Sequence, residues 1–257
     1  MTQLPSVKEQ TQTLGDLLQR YRKQFTDLLP KHLSIERMFR LGQLALSRQP
    51  ILAQCTMASL LASLLKAAEM GLEPDGTKGA LVPYRNNKTG KMEAQFIPMW
   101  QGLAELVRAT GQIAALDTDV VCEHDRFIFI KGLEQKLEHT PAMRGDRGDM
   151  VGAWALVRYK DGAGSDMEWM SKEEIDSIRA RSKAKDSGPW VTDYTEMARK
   201  TVFRRLCKRL PKSTALIVAM DTEARFEEGE VMDIAALPEM PPEAMPPPEP
   251  TATEKLA

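Results

Sequence analysis

The sequence predicts an α+β fold: a small antiparallel sheet packed by helices, with a helical N-terminal region and a disordered acidic C-terminal tail. Three features carry this reading. Apolar helix-compatible segments punctuated by Pro30, Pro50 and Gly71 fill the first part of the chain. Short strand-like segments separated by Gly, Pro and charged turns fill the middle. A late amphipathic run then gives way to a Pro-rich acidic end, too poor in apolar residues to fold.

Each element follows from local pattern. Residues 1–13 are polar and read as loose. Leu14 to Leu29 suits a helix closed by Pro30. Ser34 can cap a second helix whose apolar side is Ile35, Met38, Phe39, Leu41 and Leu44. Thr56 opens a third, with Leu60, Leu61, Leu64, Leu65 and Ala68, and Gly71 is suited to a left-handed cap. Ala80–Tyr84 and Ala94–Pro98 flank Arg85-Asn86-Asn87-Lys88-Thr89-Gly90-Lys91, the pattern of a β-hairpin with a basic tip. Trp100 to Thr110 is an amphipathic helix ended by Gly111. Strands are predicted at Leu116–Val121, Arg126–Lys131, Val151–Tyr159 and Asp166–Met170, with a loop over Pro141–Met150. Ser171 and Glu174 form a capping box for a helix to about Ala180. The resulting division is an N-terminal extension (1–28), a core (29–220) and an acidic Pro-rich tail (221–257).

The net charge of −1 over 257 residues conceals a segregation. From Asp221 onward ten acids face Arg225 and Lys255, a balance of −8. The 33 bases and 26 acids before that point leave a body of +7. A basic body with an acidic extension suits an anionic partner. Cys55, Cys122 and Cys207 are scattered, as are His32, His124 and His139, so neither a disulfide framework nor a zinc site is expected. The polar N-terminus and the lack of a long apolar run point to a soluble cytoplasmic protein.

The stretch Lys183–Lys212 is the most informative. At 100° per residue, Val202, Phe203, Leu206, Cys207 and Leu210 share one arc, a core-facing stripe. Lys200, Arg204 and Lys208 form a row on the other side, with Arg205 and Arg209 beside it. No acid occurs between Glu196 and Asp221, so no i,i+4 partner lies ahead of these cations. A solvated face, or cations complementing the helix dipole, would give the same pattern. The unrelieved row, and Arg199 inside the apolar arc, favour an external polyanion.

Bond-making chemistry finds little support. Gly71-Leu-Glu-Pro-Asp-Gly76-Thr77-Lys78 misses the phosphate-binding loop, since Lys and Thr are transposed and Pro74 removes a backbone N–H. Glu173, Glu174 and Asp176 suit helix-dipole partners better than metal ligands. No nucleophile motif is visible. The expectation is a non-enzyme with no cofactor and no nucleotide, magnesium serving at most as a counterion.

Three blocks resemble the RecT family of phage single-strand annealing recombinases. They are LPKHLSIERMFRLGQLALSRQPILAQCTMASLLASLLKAAEMGLEPDGTKGALVPY, GKMEAQFIPMWQGLAELVRATGQI and GPWVTDYTEMARKTVFRRLCKRLP. They occur in the family's order and spacing, from about Leu29 to Met220. The Gly-Pro-Trp followed by a basic helix is also similar to the more distant Red-beta proteins. The resemblance implies ATP-independent binding of single-stranded DNA, annealing of complementary strands in recombination, and homo-oligomeric rings or filaments. It further implies a companion exonuclease or host single-strand-binding protein as partner, no membrane, and a phage or prophage origin in a bacterial host. Its implied core is a small antiparallel sheet packed by helices.

On these grounds the DNA backbone is expected between the hairpin tip (Arg85, Lys88, Lys91) and the helix row (Lys200, Arg204, Lys208, with Arg205). Lys183 and Lys185 would lie along the edge. Backbone contacts are blind to sequence and leave base edges free to pair. Gln101, with Trp100, matches the family's W/Y-x-G block at a helix start, where amides can meet phosphate. Arg108 reads as a groove cation or a surface ion-pair member. Trp190 reads as a base-stacking surface or as core and groove wall. Rival readings are a protein that coats nucleic acid without annealing and a DNA-processing enzyme.

Overall fold

The computed structural model describes residues 6–87, 89–160, 162, 164–182, 185–186 and 189–228; Lys88, Lys183 and the stretch beyond residue 228 lie outside them. It is mixed α and β with small antiparallel sheets. The described residues form two compact units, one built from those up to Gly76 with Leu81–Phe96, the other from Thr77–Ala80 with those from Ile97 to Glu228.

In the first unit, α1 (Val7–Arg20) starts earlier than predicted. Ser6 accepts the Glu9 amide while the Glu9 carboxylate accepts the Ser6 amide, so the polar start is ordered by a capping box. The single helix expected over Leu14–Leu29 is two, because Tyr21 leaves helical geometry (φ −89°, ψ 9°) before α2 (Arg22–Leu28). Pro30 keeps Leu29 extended and ends α2. Ser34 caps α3 (Ile35–Arg48), which buries Met38, Phe39 and Leu46. Leu44, expected on the buried side, is exposed. Phe25 meets Phe39 edge-on with centroids 5.0 Å apart. After a 3-10 turn at Pro50–Gln54, Thr56 caps α4 (Met57–Met70) and Gly71 closes it at φ 67°, both as predicted.

A hairpin follows, of strands β1 (Gly79–Arg85) and β2 (Met92–Pro98), and α4 grips β2 through buried hydroxyls. Ser63 Oγ donates to the Ala94 carbonyl and Ser59 Oγ accepts the Ala94 amide, each at 2.9 Å. Near the hairpin tip, buried Glu93 accepts from Tyr84 Oη, Asn86 Nδ2 and Thr89 Oγ1 at 2.9–3.0 Å. Burial, then the Glu93 carboxylate, pushes the Tyr84 hydroxyl well above the usual phenol range, so the proton stays on the tyrosine side of this bond.

The second unit contains α5 (Trp100–Ala109) and an antiparallel sheet ordered β3–β6–β7 (Ile113–Cys122, Met150–Tyr159, Ser165–Ser171). Ala153, Trp154, Ala155 and Val157 make β6 its buried centre. A separate ribbon pairs β4 (Arg126–Ile130) with β5 (Lys136–Thr140); β5 was not predicted, because its Lys-Leu-Glu-His-Thr alternation is largely polar. The Trp154 indole, a pure donor, gives its N–H to His139 Nδ1 at 3.0 Å. That leaves His139 Nε2 as the protonated nitrogen, donating to Asp125 at 3.1 Å. Arg147 donates to both oxygens of the same carboxylate.

Helix α6 (Lys172–Arg181) opens with the predicted Ser171–Glu174 capping box. A single turn, α7 (Pro189–Thr192), precedes α8 (Tyr194–Cys207), which packs across the sheet. Val202, Phe203, Leu206 and Cys207 are fully buried and Leu210 nearly so, as the helical stripe requires. Each such side chain contributes about 2 kcal/mol. The last helix, α9 (Thr214–Glu228), buries Leu216, Ala219, Thr222 and Glu223. This corrects the tail boundary at 221: residues 221–228 belong to a packed helix, and the remaining tail lies outside the described residues.

Candidate nucleic-acid interface

Cations on α8 meet the end of α6 along a groove of about 530 Å³ in the second unit. Of the charged side chains lining it, Arg181, Lys200, Arg204, Arg205 and Lys208 are cations and Glu174 is a carboxylate. Four of these five were named from the sequence. Arg181 was not; its signal was its place in the last turn of a capped helix, where a cation is usually assigned to the dipole alone. Ser177 and Ser182 add hydroxyls to the wall.

The expectation that these cations are unpaired within the chain is corrected. Lys200 Nζ lies 2.5 Å from Glu223 and Arg204 Nε 3.5 Å from the same carboxylate. Arg205 reaches Glu174 at 2.8 Å and Glu168 at 3.5 Å, and Arg209 reaches Glu168 at 2.8 Å. Lys131, at the end of β4, also approaches Glu168, at 3.6 Å. The physical reason is tertiary: the i,i+4 rule sees one helix, whereas these acids arrive from β7, α6 and α9. Arg199, costly on an apolar arc, is matched by Asp119 at 2.5 Å and Glu196 at 2.9 Å.

The carboxylates differ in character. Glu168 and Glu223 are buried, Glu223 completely, so each is a fixed anchor for the cations it pairs. Glu174 is about half exposed, and its bond to Arg205 contributes at most about 1 kcal/mol. Hydrogen bonding from Arg205 and the Ser171 amide holds Glu174 below the usual carboxylate range. Lys208 and Arg181 are exposed. Helix α8 stops at Cys207, so Lys208 stands at its C-cap and Arg209 beyond it, in place of the continuous rows expected to Pro211. Burial, then the nearby Glu223 charge, raises the Cys207 thiol to about 12, consistent with a packing role.

None of the other predicted residues that are described is in the groove's lining. Arg85 and Lys91 are exposed near the hairpin tip, in the first unit, and Lys88 lies outside the described residues. Lys185 is exposed, its carbonyl accepting from Arg179 Nε at 2.8 Å, which ties the basic loop to α6; Lys183 lies outside the described residues. Gln101 is half-buried at the start of α5 and Arg108 exposed near its end. Trp190 is 2% exposed and packs near Tyr194, so it is core and not an open stacking surface. Trp100 packs edge-on against Phe203 at 6.4 Å. Glu173, Glu174 and Asp176 serve the helix: two lie in its first turn, and Asp176 accepts from Tyr194 Oη at 2.6 Å. Among the described residues no acid, His or Cys group is arranged to hold a metal ion, and no helix is long and apolar enough to cross a membrane.

The charged lining of the groove is thus five cations and one carboxylate. Comparison with known proteins agrees with the blocks read in the sequence. The model of the RecT family matches residues 36–234. Protein RecT of Escherichia coli (strain K12) is 38% identical over 206 residues, covering 78% of this chain and 76% of that protein. With a basic helix, a groove beside it and a match across most of its length, the chain belongs to the RecT family.

Proposed function

We propose that this chain, a single-strand annealing protein of DNA recombination by its family, holds single-stranded DNA by its phosphates in the α6–α8 groove. The observation that carries the reading is the gathering of Arg181, Lys200, Arg204, Arg205 and Lys208 along one groove. Arginine forks take phosphate oxygens in pairs and the lysines act as point charges. Lys185 and Arg108 act as flanking cations, and Arg85 and Lys91 are phosphate contacts on the first unit. Contacts restricted to the backbone leave Watson–Crick edges free, so a second strand is selected by base pairing alone. The binding free energy comes from counterion release and base pairing, which requires no ATP.

In this reading the protein assembles as a homo-oligomer on DNA in the bacterial cytoplasm and receives single strands from an exonuclease or a single-strand-binding protein. The test mixes two complementary labelled oligonucleotides with the protein, without nucleotide, and follows duplex formation by energy transfer. Annealing faster than the spontaneous rate, with both strands intact, is the expected result. Binding without acceleration would leave a coating protein, and strand cleavage would make it an enzyme.

A further inference from the structure

Glu223 is the most unusual charged group in the second unit. It sits on α9, fully buried, and carries its carboxylate to Lys200 at 2.5 Å and Arg204 at 3.5 Å. Lys200 and Arg204 are themselves only 12% and 20% exposed, yet both line the groove. They lie between the acid beneath and the solvent above. An acid in that position has two opposite effects on an incoming phosphate: its charge repels, while its ion pairs hold two long cationic side chains at the groove wall.

We propose that Glu223 is a positioning residue for polyanion binding, fixing Lys200 and Arg204 in the groove so that they meet phosphate without first being ordered. The inference rests on the α6–α8 groove being the phosphate-binding surface. Helix α9 is suited to the task because Leu216, Ala219 and Thr222 anchor it in the core beside Glu223. The carboxylate therefore stays in place and does not leave as an exchanging counterion. Ordering a lysine or arginine costs side-chain entropy, and an ion pair that has already imposed that order lowers the cost at binding. Glu168 does the same for Arg205 and Arg209 from β7, but it also takes Lys131 and is less cleanly tested.

The test turns on sign. Simple charge addition says that removing an acid from an anion-binding site tightens binding; positioning says that binding weakens. Fluorescence anisotropy with a labelled oligothymidylate is read for the unaltered protein, Glu223→Gln, Lys200→Met and the double variant, each checked for helix content by circular dichroism. Glu223→Gln is expected to bind about tenfold more weakly, the loss of one charge-assisted phosphate contact. The double variant is expected to bind no more tightly than Lys200→Met, because in Lys200→Met Glu223 still positions Arg204. Glu223→Gln binding as tightly as the unaltered protein, or more tightly, overturns the proposal. Should Glu223→Gln lose helix content, the double variant decides, since replacing both partners of a buried pair is tolerated better than removing one. Affinity clearly above that of Lys200→Met then overturns the proposal. Failure of the unaltered protein to bind the oligonucleotide is a separate result that sinks the groove reading itself.

Discussion

Arg181→Ala tests the groove with the least interference from the fold. Arg205 is a poor choice, because its removal uncovers Glu174 and buried Glu168 and so adds uncompensated negative charge to the site. Arg181 lines the groove from the exposed end of α6, and no ion pair to it occurs among the described residues. Counting the five groove cations alone, without the share of the further proposed cations, log affinity for single strands falls against log salt with a slope of about −3.5, from about −0.7 per contact. Raising salt from about 50 to about 200 mM then weakens binding by about 130-fold. Without Arg181 the slope becomes about −2.8 and the same change weakens binding by about 50-fold. Anisotropy titrations at four or more salt concentrations resolve that difference, and a thermal melt should be unchanged. Weaker binding with the slope intact would refute the assignment, placing Arg181 in support of the fold and not at a phosphate.

Two further predictions concern the second unit's framework. A Cβ at Gly152 would lie 2.4 Å from the Met170 carbonyl oxygen and 2.4 Å from the Trp169 ring, so Gly152→Ala must part β6 from β7; a loss of about 3 kcal/mol is expected in urea unfolding, and a midpoint equal to the unaltered protein's would contradict the strand spacing. Asp125, fully buried, is held well below the usual carboxylate range chiefly by Arg147. A depressed folded pKa contributes stability that is complete above the unfolded value of about 3.9 and declines as pH falls from there toward the lower folded value. Asp125→Asn should therefore lower stability at neutral pH by about 3 kcal/mol and flatten its acid limb; an unchanged acid limb would remove Asp125 from that role.

Periodicity was enough to find the buried face of α8, because that one helix carries four of the five stripe residues, Leu210 lying just beyond it. What that helix meets was not legible. Glu168, Glu174 and Glu223 come from three other elements, and spacing along α8 contains no trace of them. Glu223 was also hidden by composition: counted among ten acids it looked like tail, although Leu216, Ala219, Thr222 and Glu223 recur at helical intervals. The start of α1 carried a readable Ser6–Glu9 capping signature that the surrounding polarity obscured. β5 escaped for a different reason, since a two-stranded ribbon with polar outward positions has little apolar alternation to detect. Trp190 could be read either way until its surroundings were known, because a tryptophan after Gly-Pro suits a core as well as a surface.

The threading of the chain bears on how this protein can be dissected. It crosses between its two units after Gly76, Ala80 and Phe96, so the short strap Thr77–Ala80 belongs to the second unit although it precedes the hairpin tip. Within that strap the Lys78 carbonyl accepts the Met99 amide at 2.9 Å, and Lys78 Nζ reaches Glu105 at 2.9 Å. A fragment beginning at Ile97 would retain the whole cationic groove yet lose both attachments, the one just before α5 and the one midway along it. Neither half can be excised as one continuous piece, and a faithful minimal version of the groove must be spliced with its strap.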